Sequence, residues 1–570
     1  VTDNENIFPN VRQLSKTAKQ ILNKRYLLPT EKTWDDLVER VMKNIYGGRK
    51  TKDYLLTEEM IMHRYFIPNS PCLVNAGKKG AGLSACFVVD FPDTIEGIYK
   101  TKLDFALIAR KGGGCGTTLS KIRPEGSVVA GSTHGYAGGP IKFADTISHD
   151  ADAMTQAGFR SMAIMFTMSV YHPDIINFIT AKKEEGRIAN ANISVVVDDK
   201  FMNAVKNNEK YWTEFDGKQY KEYDAKTIFD MIAEGMWRNG EPGLLFKDKI
   251  DQSPYTDAGQ EILATNPCSE QPLPPNGVCN LGSLDLSKFV DKQGNIEWDK
   301  LSLATRLGVR FLDKVIDTTE YPTEEIKEWS LRNRPIGMGI MGLADLFLMK
   351  KIAYGSDESL ELAGDIMSFI SEVCMHESQK LGEQFGIPEE CKNLKPERRN
   401  ITVTTIAPTG TISLLAGCSS GIEPVFSSIT IRNDKTGTYT FENNLADKEY
   451  FRCAVSTNGE VEVTWEEHIK MLAKVQEYVD SGVSKTINFP TMTHRETMGK
   501  AAILAWEMGC KGVAMYRNGS RKHEVLTPKN LKRDKCPVCS SELVEINNKK
   551  KCVSCKDEPI VAEGVISYDQ

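Results

Sequence analysis

From about residue 66 to about residue 525, short apolar runs alternate with amphipathic stretches and Gly-rich turns, and no other feature narrows the fold so much. Residues 83–91, 193–197 and 401–406 have the apolar, β-branched character of buried strands. Residues 201–207, 225–237, 360–381 and 465–480 space apolar positions at three and four, as helices do. Strand and helix taking turns over so long a span predicts an α/β architecture. The preceding segment, residues 1–65, reads differently, as helices over 11–26 and 34–45. Residues 518–535 are polar and basic and read as a linker. The expected division is a helical region 1–65, a catalytic α/β unit 66–525 and a tail 526–570, with no internal repeat.

Charge and hydropathy exclude several classes of function. Seventy-one basic against 77 acidic residues leave a net charge of −6, so no global basic face for nucleic acid is expected. No apolar run approaches the ~18 residues of a membrane span. The first ten residues carry acids and no apolar core, unlike a secretory signal, so a cytoplasmic location is expected. Fourteen cysteines are too dilute for a disulfide scaffold in a chain of 570 residues. In a reducing compartment they point to chemistry, metal or buried core positions.

Cys536 and Cys539, then Cys552 and Cys555, form two CxxC knuckles. Four such thiolates can hold Zn²⁺ tetrahedrally, which predicts a zinc-ribbon-like tail, while a pair of exchangeable dithiols is the rival reading. A zinc-ribbon nucleic-acid-binding protein would rest on this tail alone. Gly337, Gly339 and Gly342 match GxGxxG, the mark of a nicotinamide oxidoreductase, but polar, helix-like text precedes them where a strand is required. The Gly-rich stretch 111–118 lacks the Lys and Ser/Thr of a Walker loop. Pro408, Thr409, Gly410, Thr411 and Ile412 follow an apolar run and precede a helix-like stretch, where an anion could be held. Asn266, Cys268 and Glu270 alternate, so in extended backbone all three share a face. His376 and Glu377 begin an HExxH motif that Lys380 breaks.

Eight motifs in order carry a family resemblance: Pro68–Pro71, Leu83–Phe87, Lys111–Gly116 with Lys121–Gly126, Tyr171–Asp174, Asn266–Glu270, Cys279–Ser283, Arg334–Gly339 and Ala407–Ser413. Together they resemble the catalytic subunit of a ribonucleotide reductase. Gly509–Arg521 followed by a CxxC tail is similar to the class II, adenosylcobalamin-dependent branch. Met515 and Tyr516 stand where the branch with a separate radical-generating subunit carries adjacent tyrosines.

The resemblance implies a ten-stranded α/β barrel of two antiparallel-joined five-stranded parallel halves, with a finger loop threaded through the centre. It implies Cys268 at the loop tip as a transient thiyl radical, Glu270 handling the 3′-hydroxyl proton and Asn266 orienting the substrate. Cys86 and Cys279 would supply two electrons and become a disulfide. Ser70, Ala85, Cys86, Gly114, Pro267, Ser269 and residues 408–412 would hold the ribonucleotide and its phosphates. Asp93 and Arg123, with residues 156–162, resemble specificity elements that bind a deoxynucleotide or ATP effector at a homodimer interface. The substrate would be a ribonucleoside diphosphate, with the triphosphate as the alternative, and the disulfide would be re-reduced by a thioredoxin- or glutaredoxin-like protein. The other seven cysteines are expected to be buried thiols.

Overall fold

A computed structural model describes residues 7–9, 13–129, 135–156, 160–183, 187–434, 437–443, 446, 448–456, 459–521 and 525–529. It also describes the backbone of 543–546, 549–552, 560–562 and 565–567.

Three helices open the described chain: α1 (Lys16–Arg25), α2 (Trp34–Tyr46) and α3 (Lys52–Met62). Each starts at a hydroxyl side chain that accepts a backbone N–H, from Ser15, Thr33 and Thr51. Thr33 and Asp36 complete a reciprocal capping box. α2 buries Trp34, Leu37, Val38, Val41, Met42 and Ile45, a helical stripe that joins the larger of the hydrophobic cores.

Ten strands then build one mixed sheet. They are β1 (Phe66–Pro68), β2 (Cys86–Val88), β3 (Gly114–Thr118), β4 (Ile164–Ser169) and β5 (Ala191–Val197). The others are β6 (Gly243–Phe246), β7 (Val278–Asp285), β8 (Ile336–Met341), β9 (Thr486–Phe489) and β10 (Gly512–Arg517). β2 to β6 run parallel as one half. The polarity reverses at two junctions, β2 with β7 and β6 with β10. Beyond them β7 is parallel to β8, and β10 to β9, while β1 lies antiparallel on β7.

The expected barrel is corrected in one respect: the ladder does not close. Between β8 and β9, residues 401–406 make only isolated parallel bridges, Met338 with Thr404 and Ile406 with Val483. The segment is buried, as its apolar text predicts, and bonds by backbone to both sides, but side chains interrupt the ladder at Val403 and Thr404. Asp480 accepts from the Val403 N–H at 2.8 Å, and the Thr404 hydroxyl accepts from the Asp480 N–H at 2.9 Å. Alternation of residue types cannot reveal such a substitution of side chain for backbone.

The expected linker also differs from the observed structure. Leu526–Pro528 adds a third strand to the hairpin of Ile429–Asp434 and Gly437–Glu442. Leu526 and the β-branched Thr527 before a proline suffice for a short edge strand. Among the described residues no helix is long and apolar enough to cross a membrane.

Candidate active site

The finger loop starts and ends in a miniature antiparallel pair, Ala264–Thr265 with Pro272–Leu273. Its seat is made by glycines on both sides. A Cβ on Gly116 of β3 would stand 1.8 Å from the Thr265 carbonyl oxygen, and one on Gly114 would lie 3.0 Å from Pro267 Cγ. Across the sheet, a Cβ on Gly482 would meet the Ser269 carbonyl oxygen at 2.8 Å. The Glu270 carbonyl accepts from the Gly482 N–H at 2.7 Å and from the Thr405 hydroxyl at 2.9 Å, and Asn192 donates to the Pro267 carbonyl at 2.8 Å. Ser269 adopts φ 65°, the left-handed conformation that non-glycine residues reach at a cost of about 1–2 kcal/mol. In this clamped loop Asn266, Pro267 and Glu270 are buried while Cys268 is exposed.

Around that thiol the strands bring distant residues together. Cys86 on β2 and Cys279 on β7 are direct register partners in an antiparallel pair. Such partners stand about 4.5–5.5 Å apart at Cα, within the span of a disulfide. Both are free thiols packed in one small buried cluster. Burial, joined by the Glu270 carboxylate, pushes both thiols well above their ordinary range, so the reduced pair is held protonated. Asn266 Nδ2 lies 3.1 Å from Cys86 Sγ, and the Asn266 carbonyl accepts from the Gln271 N–H at 2.9 Å. The Cys86 thiol faces Glu270 Oε1 at 3.7 Å. Glu270 Oε2 is buried without a hydrogen-bond partner. Burial pushes the Glu270 carboxyl up to about 7, against the opposing hydrogen bonds of Asn266 and Cys86.

A cavity of about 180 Å³ gathers these groups. Of the residues expected to hold substrate, Ser70, Ala85, Cys86, Gly114, Asn266, Pro267, Cys268 and Glu270 line it. Pro408, Thr409, Gly410, Thr411 and Ile412 line it too, and Ser269 does not. The phosphate-loop candidate leads into the helix Ile412–Ala416, whose first N–H groups lack acceptors within the helix. Thr409, at φ 49°, accepts from the Gly421 N–H at 2.7 Å, which holds the loop in its strained shape. A second cavity of about 790 Å³ shares the same helix through Ser413 and Leu414, and reaches Thr486 and Asn488 of β9 and Tyr516 of β10.

Other candidate residues lie apart from this cavity. Arg123 Nε donates to Asp93 Oδ2 at 2.7 Å, a partly exposed ion pair beside the helix Ile95–Arg110. Residues 157–159, in the middle of the second specificity element, lie outside the described residues. So do Cys536, Cys539 and Cys555, and of Cys552 only the backbone is described, where Lys549–Cys552 pairs with Leu543–Ile546. Among the described residues no group of three or more His, Cys, Asp or Glu could hold a metal. The nicotinamide reading is overturned. Gly337 and Gly339 lie inside β8, where a Cβ would meet Thr405 Cγ2 at 2.4 Å and the Thr405 carbonyl at 2.5 Å, so these glycines serve close packing. Of the seven remaining cysteines six are buried, and Cys418 is half-buried.

The motif at Tyr171–Asp174 has a structural explanation. His172 Nδ1 accepts from the Asp174 N–H at 3.0 Å, so its Nε2 donates to the Ile122 carbonyl at 2.9 Å, and burial keeps the ring neutral. Sequence reasoning missed Gly116, Asn192, Thr405 and Gly482 as supports of the finger loop. Gly116 stands inside a motif that was visible, whereas the other three have no local signal.

A mixed sheet of two oppositely running parts thus holds a thiol-bearing loop against a cross-strand pair of thiols. The family model "Ribonucleotide reductase, barrel domain" matches residues 84–398 and 392–516, and "Ribonucleotide reductase, all-alpha domain" matches residues 12–81. The chain belongs to the ribonucleotide reductase family. It is 36% identical over 561 residues to a "Vitamin B12-dependent ribonucleoside-diphosphate reductase" of Thermoplasma acidophilum, covering 91% of this chain and 72% of that one. A protein of the same description from Mycobacterium tuberculosis is 34% identical over 567 residues, covering 90% of this chain and 81% of that one. In fold it resembles the class Id ribonucleotide reductase alpha subunit of Actinobacillus ureae, with a TM-score of 0.74 at 22% identity, over 89% of this chain and 98% of that one.

Proposed function

We propose that the chain reduces ribonucleoside diphosphates to 2′-deoxyribonucleoside diphosphates and depends on adenosylcobalamin. The observation that carries this reading is an exposed Cys268 facing one small cavity with Glu270 and Cys86, with Cys279 packed behind. The named activity of the Thermoplasma and Mycobacterium relatives supports it.

The larger cavity suits a bulky cofactor. It is open, adjoins the substrate cavity through one helix, and is bounded by Tyr516 with the buried Met515 beside it in sequence. Glu423 in its wall is fixed by the buried Lys485 at 2.7 Å and by the Thr486 N–H at 2.7 Å. Adenosylcobalamin supplies, when bound, homolysis of its cobalt–carbon bond. The chain's own residues do the rest. Cys268, as a thiyl radical, takes the 3′-hydrogen of the ribose. Glu270 accepts the 3′-hydroxyl proton and Asn266 orients the sugar. The 2′-hydroxyl leaves as water with one proton from the thiol pair; two electrons and the second proton pass to C2′, Cys86 and Cys279 become a disulfide, and Glu270 returns its proton to the 3′-oxygen. The 3′-hydrogen returns from Cys268, and the disulfide is reduced by a thioredoxin- or glutaredoxin-like dithiol.

Cys536, Cys539, Cys552 and Cys555 either hold zinc or relay electrons to that disulfide, and near-stoichiometric zinc in the purified chain would favour the first. Asp93 and Arg123 mark the effector site. Beside them Ile95, Tyr99 and Leu103, four residues apart on one helix, are 57–62% exposed, an apolar stripe suited to a second copy of the chain.

Incubating the chain with adenosylcobalamin, dithiothreitol, effector and CDP or CTP should yield deoxycytidine diphosphate from CDP, and Cys268→Ser should abolish it. No deoxy product from either nucleotide would overturn the proposal, and turnover by Cys268→Ser would overturn the radical assignment.

A further inference from the structure

A buried lysine outside the expected site holds the wall on which the finger loop rests. Lys511 stands directly before β10, where its carbonyl accepts from the Phe246 N–H at 2.9 Å. Its Nζ donates to the Asp480 carbonyl at 2.6 Å and to the Ser481 carbonyl at 3.0 Å. Those carbonyls belong to the segment that seats Glu270, since the next residue, Gly482, gives its N–H to the Glu270 carbonyl at 2.7 Å. The segment is also tied to residues 403 and 404, and the Ser481 carbonyl accepts from Gln476 Nε2 at 3.0 Å.

A charge in so enclosed a place is costly unless its donors are used. Burial pulls the Lys511 ammonium down to about 8, with the Asp480 carboxylate opposing. Asp480 turns that carboxylate to the Val403 N–H at 2.8 Å, and the ammonium bonds backbone instead. Hydrogen bonds from a charged donor are about twice as strong as neutral ones, and two of them fix a segment that lies outside any helix or strand. On its other side the segment has no slack. The Cβ position of Gly482 lies 2.8 Å from the Ser269 carbonyl oxygen and 3.0 Å from Glu270 Cα, so a shift at 480–482 passes directly to Glu270.

We infer that Lys511 is a positioning residue for the loop that bears Cys268: through the carbonyls of Asp480 and Ser481 it holds Gly482 against Glu270, and so fixes both Glu270 and Cys268 relative to the substrate. This rests on the ribonucleotide-reducing function proposed above. It gives β10 two tasks, since the strand that follows Lys511 also carries Tyr516 to the wall of the larger cavity.

The test compares the full wild-type chain with Lys511→Met, which keeps an unbranched side chain without its donors, by amide hydrogen exchange and by turnover of CDP. Exchange over residues 264–273 and 479–484 should speed about tenfold or more, while the core helix Trp298–Thr318 changes by less than about twofold. The kcat should fall about tenfold or more, with KM for CDP held within about twofold, because Ser70 and residues 408–412 of the substrate cavity stay in place. Equal acceleration in loop and helix would mark a merely structural lysine and overturn the inference. Unchanged exchange in the loop, or faster exchange with full kcat, would overturn it as well. Lys511→Gln, whose amide N–H can still reach one carbonyl, serves if the methionine variant fails to fold. It should show a smaller change of the same sign, and wild-type exchange there would equally overturn the inference. A wild-type chain that turns over neither CDP nor CTP would instead bring down the ribonucleotide reading, and the exchange comparison would still judge the hold on the loop.

Discussion

Glu270 shows how far one side chain's chemistry depends on its surroundings. Its carboxyl is buried, has one oxygen without a partner and is pushed up to about 7. In its proposed role as proton acceptor it must be ionised, so kcat/KM for CDP should rise with pH to a plateau above about 7, and this limb should be lost in Glu270→Gln along with most activity. Stability runs the other way. The folded chain keeps this proton over the window from the ordinary 4.5 to about 7, where the unfolded chain has released it. The contribution is therefore full below 4.5 and lost as pH rises through 7. Glu270→Gln, which removes the titration, should raise Tm relative to wild type more at pH 8 than at pH 5. Equal differences at the two pH values would contradict the buried carboxyl. The identity of Glu270 and its spacing from Cys268 were legible in the sequence. Its burial was not, because the walls around it come from β2, β7 and residues near 405 and 482.

At the scale of elements, the finger loop is a segment with little structure of its own, held by close backbone approaches. Gly116→Ala would drive a methyl group into the Thr265 carbonyl, where 1.8 Å leaves no room. The loop must shift, so activity should fall at least tenfold while Tm drops by a few degrees, consistent with overpacking at about 1–3 kcal/mol. Turnover and a thermal melt check this together, and full activity would show that the seat is not needed. The helices at residues 225–237 and 360–381 were read well from periodicity, because each contributes a continuous stripe to a core. Residues 401–406 were read as a strand because they are apolar and buried, yet they pair only through isolated bridges. Their neighbours donate side chains to the gap, and that information lies some 75 residues away at Asp480.

For the whole molecule, the apolar stripe of Ile95, Tyr99 and Leu103 predicts association of two copies on the helix beside Asp93 and Arg123. Tyr99→Glu, placing a charge at the centre of the stripe, should shift the chain toward monomer by analytical ultracentrifugation. It should also weaken the response of base preference to deoxynucleotide effectors. A variant that stays dimeric would place the interface elsewhere.

The sequence by itself determined the α/β class and the chemical identities at 86, 266–270, 279 and 408–412, because periodicity and residue type are local properties. The tertiary structure decided what these residues can do. It set Cys86 opposite Cys279 through strand register, clamped the loop between Gly116 and Gly482, and gathered both with residues 408–412 around one cavity. Each of these depends on which distant segments share a sheet edge or a cavity, and that is fixed by packing rather than by spacing along the chain.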